Sequence, residues 1–463
     1  MRQAAVKKLL AIASFCIVTT IYSTAQTFTT LFNFDFTSGV WPVGPLVQGT
    51  DGDLYGTTFQ GGDCCGTVFR TNLTGDVTTI YSFCSSGDCS DGSIPRWLIL
   101  ATDGNFYGST ANGGVNNNGI IFKLTPVGQL TTVHRFSWAD GAVPGGIIEA
   151  DDGYLYGTTG AGGKSRWCPD CGTVFKIASD GTFSSLFSLC VQPDCEGDGG
   201  NPGPLIQGSD GALYDTLGEG GLHGAGAAFR ITRSGKYSTL FSFITSKGKQ
   251  PGGGLVESGG SFYGNTCYGG QYTHGTVFSI APNKFSRLHS FIPNTEGFCP
   301  AEKLLKASDG NFYGTTMEDG PGGAGTIFQI TPDGTLITLH GFDGYDGSSP
   351  IGPLFQATNG IIYGTTAYGG GNSWGTLFSL DMGLPPFVAF VRDSGRVGAA
   401  GGILGQGFRG TTSVSLNGTP AIFTVVSDTY IRATVPAGAS SGYVTVTTPS
   451  GVLTSNVPFR VIP

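Results

Sequence analysis

The sequence predicts an all-β protein whose main domain is a seven-bladed β-propeller, and three observations lead to this fold class. A unit built around Tyr-Gly-Thr-Thr recurs seven times, at intervals of 49 to 58 residues, and regular self-similarity of this length is typical of repeat architectures. Each copy divides into four short strands with tight turns between them. The repeat region also begins with an extra strand and ends one strand short, so its two ends complement each other.

The sixth copy shows the pattern within one repeat. Its strands are predicted at Lys303–Ala307, Asn311–Thr316, Gly325–Ile330 and Leu336–Phe342. Asp-Gly joins the first pair and Pro-Asp-Gly the last, and both are tight-turn signals. Long loops make the other two connections, so we expect tight turns on one face of the disc and long loops on the other. The tyrosines that mark the seven copies are Tyr55, Tyr107, Tyr156, Tyr214, Tyr263, Tyr313 and Tyr363.

The ends of the repeat region predict how the ring closes. Thr27–Phe34 has the pattern of a fourth strand, such as Thr239–Phe243. The seventh copy stops at its third strand, Gly375–Leu380. We therefore expect the N-terminal strand to lie beside Gly375–Leu380 and to complete the last blade, which removes the free sheet edges there. The propeller is predicted to span residues 27–380.

The first 25 residues have the features of a signal peptide. Arg2, Lys7 and Lys8 precede the apolar run Leu9–Tyr22, and small residues follow it. Ten of the 11 cysteines lie after this segment, which is consistent with an oxidising compartment. We expect an exported protein, secreted, extracellular or periplasmic, with no membrane span after cleavage.

Composition narrows the class of partner. Gly makes up 79 of 463 residues without a Gly-X-Y period, and aromatic residues reach 12%, which indicates many turns between short strands. The formal charge is −8, and removal of residues 1–25 makes it more negative because that segment carries basic residues and no acids. Nucleic acid is therefore not expected as a partner.

After a linker at residues 381–386, the pattern changes. Residues 387–463 lack the repeat and show alternating strands at Ser413–Leu416, Tyr430–Val435 and Gly442–Thr447. This indicates a separate small immunoglobulin-like β-sandwich.

The repeat resembles the GloVer-type (Gloeobacter/Verrucomicrobium-type) tandem repeat of exported bacterial proteins, and more loosely the kelch-type propellers. The matching elements are Asp309–Thr316 (DGNFYGTT), the Gly-Gly after it and Gly325–Phe328 (GTIF). The resemblance implies an extracytoplasmic location and no established activity. Two copies depart from the pattern: the fourth has Asp215 and Leu217 where others have Gly and Thr, and the fifth has Gly-Gly at the turn.

The C-terminal region resembles the IPT/TIG immunoglobulin-like domains. Gly401–Gly451 contains the G-x-x-F, V-x-x-N-G and V-P-A-G features of that family. The resemblance implies a spacer or interaction module without catalysis.

The loop face carries the candidate binding residues. Exposed aromatic rings beside acids and amides suit stacking on sugar rings, although loop tryptophans can equally cover the ends of blade interfaces. The acids in the loops between blades are Asp35, Asp88, Asp91, Asp140, Asp194, Glu196, Asp198, Asp343 and Asp346. The candidate binding residues are Trp41, Trp97, Trp138, Trp167, Trp374, Tyr268, Tyr272, Tyr368 and His274.

Catalytic, metal and cofactor sites are not predicted. The repeated aspartate precedes Gly in a tight turn and is interpreted as a turn residue. His134, His289 and His340 occupy a fourth-strand position that is aromatic in every copy, so packing is their expected role. Polar residues end six first strands, and two roles remain open for them: lining the channel, or satisfying backbone groups near the axis.

The cysteines are expected to form disulfides in the loops. We predict in particular that Cys267 pairs with Cys299; the other pairings stay open. The remaining candidates are Cys64, Cys65, Cys84, Cys89, Cys168, Cys171, Cys190 and Cys195.

The leading interpretation is an exported, non-catalytic repeat protein that binds an extracellular glycan or a surface protein. One alternative is a propeller-based carbohydrate-active enzyme, a lyase or glycoside hydrolase, which requires two converging carboxylates. The other is a structural protein of the cell envelope.

Overall fold

The computed structural model describes residues 26–168, 170–190, 195, 198–282, 284–300 and 302–462. The predicted signal peptide, residues 1–25, lies outside the described residues. Seven four-stranded antiparallel sheets follow one another along the chain as the blades of a propeller. Within the described part of the chain, no helix has the length and apolar character needed to cross a membrane.

The first strand of each blade is nearest the axis and the fourth is outermost. Blade 1 consists of Val47–Gln48, Leu54–Thr58, Thr67–Thr71 and Val77–Ser82. Blade 2 consists of Ser93–Leu100, Phe106–Asn112, Ile120–Leu124 and Leu130–Arg135. Blade 3 consists of Ala142–Glu149, Leu155–Ala161, Thr173–Ile177 and Phe183–Ser188. Blades 4 and 5 consist of Ile206–Gln207, Leu213–Leu217, Ala227–Ile231 and Tyr237–Ser242; and of Val256–Ser258, Ser261–Thr266, Thr276–Ala281 and Lys284–Ser290.

The last two blades show how the ring closes. Blade 6 consists of Leu305–Lys306, Phe312–Thr316, Thr326–Ile330 and Leu336–Gly341, and blade 7 of Phe355–Gln356, Ile362–Thr366, Thr376–Asp381 and the N-terminal strand Thr27–Asn33. Thr27–Asn33 pairs antiparallel with Thr376–Asp381, with Thr27 opposite Asp381 and Asn33 opposite Thr376. The predicted closure by the N-terminal strand is confirmed.

Two hydrogen bonds recur in the repeat motif, each in five of the seven copies. The tyrosine of Tyr-Gly-Thr-Thr is buried and donates its hydroxyl to the aspartate of the tight turn, as Tyr313 does to Asp309 at 2.9 Å. The same aspartate accepts the N–H of Asn311 two residues later, which is the turn role expected of it. The second threonine pairs with the threonine of the third strand, as Thr316 does with Thr326 at 2.8 Å. The motif therefore specifies the blade.

Polar side chains at the ends of first strands join neighbouring blades. Gln356 Oε1 accepts the N–H of Ser308 in blade 6 (2.9 Å), and Gln48 Oε1 accepts that of Thr358 in blade 7 (3.1 Å). Glu149, Gln207 and Glu257 make the equivalent bonds to the preceding blade. Of the two roles left open for these residues, the satisfaction of backbone groups near the axis is the one seen for these five.

The C-terminal region forms two four-stranded sheets and one parallel pair, Ser394–Arg396 with Arg460–Ile462. One sheet is Ala389–Phe390, Ala400–Leu404, Tyr430–Thr434 and Phe423–Val425; the other is Thr419–Pro420, Ser413–Leu416, Val444–Thr448 and Gly451–Thr454. Their inner faces enclose a separate apolar core around Val414, Ile431 and Val446.

This sandwich lies against the tight-turn face of the propeller. Leu404 and Tyr430 pack into the apolar cluster that contains Leu98 and Tyr55. Hydrogen bonds reach the turns of blades 7, 1, 3 and 4: Phe387 N–H to Thr358 O (3.0 Å), Thr429 Oγ1 to Thr50 O (2.8 Å), Arg460 Nη2 to Asp151 Oδ2 (3.1 Å) and Arg460 Nη1 to Ser209 O (3.2 Å). The sandwich thus covers turns on several sides of the propeller axis.

Candidate functional site

Aromatic rings at the junction of blades 7 and 1 form a continuous surface on the loop face. The ring of Trp41 lies 5.9 Å from Tyr368, 5.9 Å from Phe59 and 6.4 Å from Trp374, measured between centroids. Tyr368 is 48% exposed and Trp374 is 40% exposed. The indole N–H of Trp41 is buried without an acceptor among the residues that the structure describes. Such a donor marks a position where a water or a ligand can supply the missing acceptor.

A second aromatic group lies at the junction of blades 5 and 6. The ring of Phe298 lies 5.5 Å from Tyr268 and 5.1 Å from His274. The exposed Tyr272 is two residues before His274, whose Nδ1 lies 2.8 Å from the Tyr272 carbonyl oxygen. The loop face therefore brings together six of the nine predicted binding residues in two groups.

The other three tryptophans have different surroundings. Trp138 and Trp167 are exposed in blade 3 loops, Trp167 at 58%. Trp97 does not lie in or beside a loop as expected, and that placement is wrong. It lies inside the first strand of blade 2, and its indole N–H donates to Ile147 O of blade 3 at 3.1 Å. Because it fills the space between two first strands, Trp97 packs the propeller and is not part of the loop face.

Several of the described loop acids make hydrogen bonds to residues of their own loop or of the strand before it. Asp35 accepts from the N–H and hydroxyl of Ser38, and these bonds lower its pKa. Asp91 accepts the hydroxyl of Tyr81 at 2.7 Å. Asp194 and Glu196 lie outside the described residues. For Asp35 and Asp91, these contacts indicate a role in holding the local loop.

The three fourth-strand histidines have the packing role expected of them. His134 stacks on Phe183 at 4.1 Å, and His340 stacks on Phe28 at 3.7 Å. Each also meets an acid of the following loop, for example Asp140, which lies 3.2 Å from His134 Nε2. Burial lowers the pKa of His134. Sequence reasoning did not predict these acid partners, although each acid follows its histidine by six or seven residues.

Ten cysteines form five disulfides, all in loops of the propeller or at strand ends. Cys267 is bonded to Cys299, as predicted, and this disulfide links blades 5 and 6. The other pairs are local: Cys64–Cys65, Cys84–Cys89, Cys168–Cys171 and Cys190–Cys195. Disulfides in this number are typical of proteins outside the cytoplasm.

Seven residues at or just before the start of the first strands form a ring at the loop-face end of the channel. Each directly precedes a proline and has a positive φ, from 51° at Ser349 to 60° at Ile94 and Gln250. Backbone hydrogen bonds to the loop of the preceding blade hold them; Ile94 N–H, for example, donates to Cys65 O at 2.8 Å. Such strain persists only where the surroundings determine it. The seven residues are Trp41, Ile94, Val143, Asn201, Gln250, Cys299 and Ser349.

Inside the ring, charged residues occur where most first strands have glycine. The first strand of blade 6 is preceded by Glu302 and Lys303, and that of blade 2 contains Arg96. Arg96 is exposed to solvent and the other two are half-buried, yet burial lowers the pKa of Arg96, lowers that of Lys303 to about 8 and raises that of Glu302 to about 8.

The fourth charged group is Asp215, which replaces the glycine of the repeat motif. Its carboxylate is fully buried, and burial raises its pKa well above the ordinary value. Oδ1 accepts the Thr216 N–H at 2.6 Å, whereas Oδ2 has no partner among the described residues. The positive charge of Lys303 lowers the pKa of Asp215, but by less than burial raises it. The sequence signal for this group was the departure of the fourth copy from its motif.

Comparison with known proteins agrees with this architecture. A family model described as the Gloeobacter/Verrucomicrobia repeat matches residues 17–203, 84–243 and 201–419, and one described as the IPT/TIG domain matches residues 402–461. No curated protein matches the chain.

Several solved structures share the fold. A streptogramin B lyase is 18% identical with a TM-score of 0.54, over 77% of this chain and 97% of that one. An inactive virginiamycin B lyase from Staphylococcus aureus, solved with quinupristin, is 16% identical with a TM-score of 0.54, over 77% and 99%. The extracellular domain of a hybrid two-component system from B. thetaiotaomicron is 13% identical with a TM-score of 0.51, over 94% of this chain and 55% of that one. At these identities the likeness concerns the fold alone.

Proposed function

The chain belongs to the Gloeobacter/Verrucomicrobia repeat family, and we propose that it is an exported, non-catalytic protein whose loop face binds an extracellular glycan. The observation that carries the proposal is the aromatic surface at the junction of blades 7 and 1. Two of its rings, Tyr368 and Trp374, are exposed to solvent. Exposed rings of this kind offer apolar area for the C–H faces of sugars at a low cost in side-chain entropy.

Electrostatics agrees with a neutral or weakly charged ligand at this surface. The protein has a formal charge of −8, and acids such as Asp346 and Asp35 lie in the adjoining loops. Sugar hydroxyls can donate to carboxylates and to loop carbonyls, whereas an acidic polymer would be repelled. Neutral extracellular polysaccharides are therefore the expected class.

The test is a binding screen of the disulfide-bonded chain against neutral polysaccharides, with the double variant Tyr368→Ala/Trp374→Ala. We expect the variant to bind at least about tenfold more weakly than the wild type, because central aromatic residues dominate such interfaces. Tyr443→Ala removes an equally exposed ring, 52% accessible, from the C-terminal sandwich, and it should leave binding unchanged.

Two results would overturn the proposal. One is unchanged binding in the Tyr368/Trp374 variant and in a Trp138→Ala/Trp167→Ala variant of the blade 3 loops. The other is release of reducing ends from a bound polysaccharide, which would favour the alternative of a carbohydrate-active enzyme.

A further inference from the structure

A cleft between blades 2 and 3 is a second candidate site, on the tight-turn face and away from the aromatic surface. It has a volume of about 450 Å³. Blade 2 supplies one wall, with Tyr107 and Lys123, and the turn at residues 178–181 of blade 3 supplies the other. Glu149, at the axial end of blade 3, and Arg392 of the C-terminal sandwich lie at the inner end. Sites for small molecules are concave spaces of this size and occur preferentially where domains meet.

The cleft exists because the last turn of blade 3 stands away from blade 2. In five blades, the glycine of the turn between the third and fourth strands faces a carbonyl oxygen of the preceding blade. A Cβ added to this glycine would lie 2.4 to 3.0 Å from that oxygen in four of them: Gly75, Gly128, Gly235 and Gly334. At Gly181 it would lie 3.6 Å from Val133 O. The junction of blades 2 and 3 is therefore the widest of the five.

The sequence accounts for the open junction. Two residues before the turn glycine, blade 4 has Arg233, whose guanidinium crosses to Asp151 and Asp152 of blade 3. Blade 1 has Leu73 there, which packs against the apolar cluster between blades 7 and 1. Blades 2 and 6 have a proline, and their turns lie close to the preceding blade. Blade 3 has Ser179, an exposed short side chain, so the space that Arg233 and Leu73 fill elsewhere stays open here.

The charges of the cleft disfavour an anion. Both bases have acid partners: Lys123 Nζ lies 2.8 Å from Asp103 Oδ2, and Arg392 Nη1 lies 3.9 Å from Glu149 Oε1. With Asp180 at the rim, the acids that line the cleft outnumber the bases by one. An anionic ligand would therefore have to displace acids that already hold the bases.

The other lining groups suit a hydroxylated ligand. Three hydroxyls on the walls have no hydrogen-bond partner in the described protein, those of Thr131, Thr132 and Ser179. The apolar side chains of Val133 and Leu155 lie among them. Apolar area with a few well-placed polar groups is the usual lining of a ligand site, and a sugar presents C–H faces and hydroxyls together.

We propose that this cleft binds a short neutral saccharide. Its C–H face packs on Val133 and Leu155, and its hydroxyls bond to the three free hydroxyls of the walls and to the carboxylate of Glu149. The inference uses none of the loop-face aromatic residues and does not depend on the proposal for them.

The test is calorimetric titration of the full disulfide-bonded chain at pH 7 with maltose, cellobiose and lactose, repeated in the presence of citrate or spermidine. We expect at least one of the three disaccharides to bind and neither charged probe to compete with it. Competition by citrate or by spermidine would overturn the inference, because the cleft would then select a charge and not hydroxyl groups.

A variant that fills the cleft tests its position. Ser179→Arg copies the arrangement of blade 4, where Arg233 occupies the corresponding junction. We expect it to weaken disaccharide binding at least about tenfold, because a pocket rejects a group for which it has no room. Ser234→Arg makes the same change at the exposed tip of the equivalent turn of blade 4, and it should leave binding unchanged.

The hydroxyl contacts are tested without a change of shape by Thr131→Val/Thr132→Val. Valine is isosteric with threonine and equally suited to a strand, so the unfolding temperature should stay within about 2 °C of that of the wild type. Binding should weaken about three- to tenfold, as expected for the loss of one or two hydrogen bonds. Tyr368→Ala/Trp374→Ala should bind the disaccharide normally, which separates this cleft from the loop face.

Four further outcomes would overturn the inference. They are the absence of binding by all three disaccharides, unchanged binding in Ser179→Arg, unchanged binding in Thr131→Val/Thr132→Val, and loss of binding in Tyr368→Ala/Trp374→Ala. The last of these would assign the saccharide to the loop face instead.

Discussion

Phe34 provides a direct test of ring closure, because it follows the N-terminal strand and lies in the core between blades 7 and 1. It is fully buried, 5.2 Å from Phe32 and 5.2 Å from Phe69, and packs in one cluster with Leu377 of blade 7. Replacement of a fully buried phenylalanine by alanine costs about 3–5 kcal/mol through lost burial and the cavity that remains. We expect Phe34→Ala to lower the free energy of unfolding of the propeller by about 4 kcal/mol.

A matched control is present in the middle of the chain. Phe243 has the same place after the fourth strand of blade 4, is fully buried, and lies 5.0 Å from Phe241 and 4.9 Å from Phe278. If the N-terminal strand is a full member of blade 7, Phe34→Ala and Phe243→Ala should cost the same within about 1 kcal/mol, since packing partners and burial are alike.

Urea unfolding followed by tryptophan fluorescence is the appropriate measurement. All five tryptophans precede residue 381, so the signal reports the propeller and not the C-terminal sandwich. Phe36→Ala, at an exposed position two residues beyond Phe34, should change stability by less than about 0.5 kcal/mol. A cost for Phe34→Ala as small as that of Phe36→Ala would refute closure by the N-terminal strand.

Three further predictions concern the repeat, the disulfide between blades and the channel. Tyr313→Phe should lower the free energy of unfolding by about 1–2 kcal/mol, because Asp309 loses the hydroxyl donor of Tyr313. Tyr263→Phe, in the copy whose turn is Gly-Gly, should lower it much less. Equal losses in urea unfolding would contradict this prediction. Cys267→Ala/Cys299→Ala should cost about 3–4 kcal/mol in the same assay, since the bond closes a loop of 32 residues; a peptide map with either cysteine free in the wild type would remove the basis for that value. Between pH 4.5 and about 8, the Glu302 carboxyl keeps its proton in the folded protein but ionises in the unfolded chain, so the wild type should lose stability as pH rises. Glu302→Gln should abolish this loss, because the amide does not ionise. By pH 9 the variant should be more stable by about 2 kcal/mol, given about 1.4 kcal/mol for each pKa unit and some screening by channel water; parallel stability curves from pH 5 to 9 would contradict the assignment.

The elements that sequence reasoning located well are those that the repeat specifies locally. In the sixth copy the second strand was expected at Asn311–Thr316 and lies at Phe312–Thr316, because the Asp-Gly turn and the buried Tyr313 determine the register. Closure was predictable for the same reason: the N-terminal strand has the spacing of a fourth strand. The Cys267–Cys299 bond follows from two adjoining loops, one in each of two consecutive copies.

The first strands were predicted less well. Lys303–Ala307 was expected, and only Leu305–Lys306 pairs as a strand. The next buried apolar residue after the proline comes three residues later in blade 2, at Leu98, and four residues later in blade 6, at Leu304. The first strands therefore share no single spacing of buried residues. This irregular spacing also explains the error at Trp97, whose side chain turns toward blade 3 beside a register shift between Pro95 and Trp97. Contacts between distant parts of the chain, such as Thr429 with Thr50, leave no local pattern.

The departures from the repeat suggest how structure and function are divided in this protein. Residues that recur in the copies have partners in the fold: tyrosine with aspartate, threonine with threonine, and the amide side chains with the next blade. Asp215, Glu302 and Lys303 depart from the pattern, and each is an ionisable group whose charged form burial disfavours. A seven-bladed ring that needs only architecture would be expected to keep glycine at Asp215, since an unpaired buried oxygen destabilises the fold.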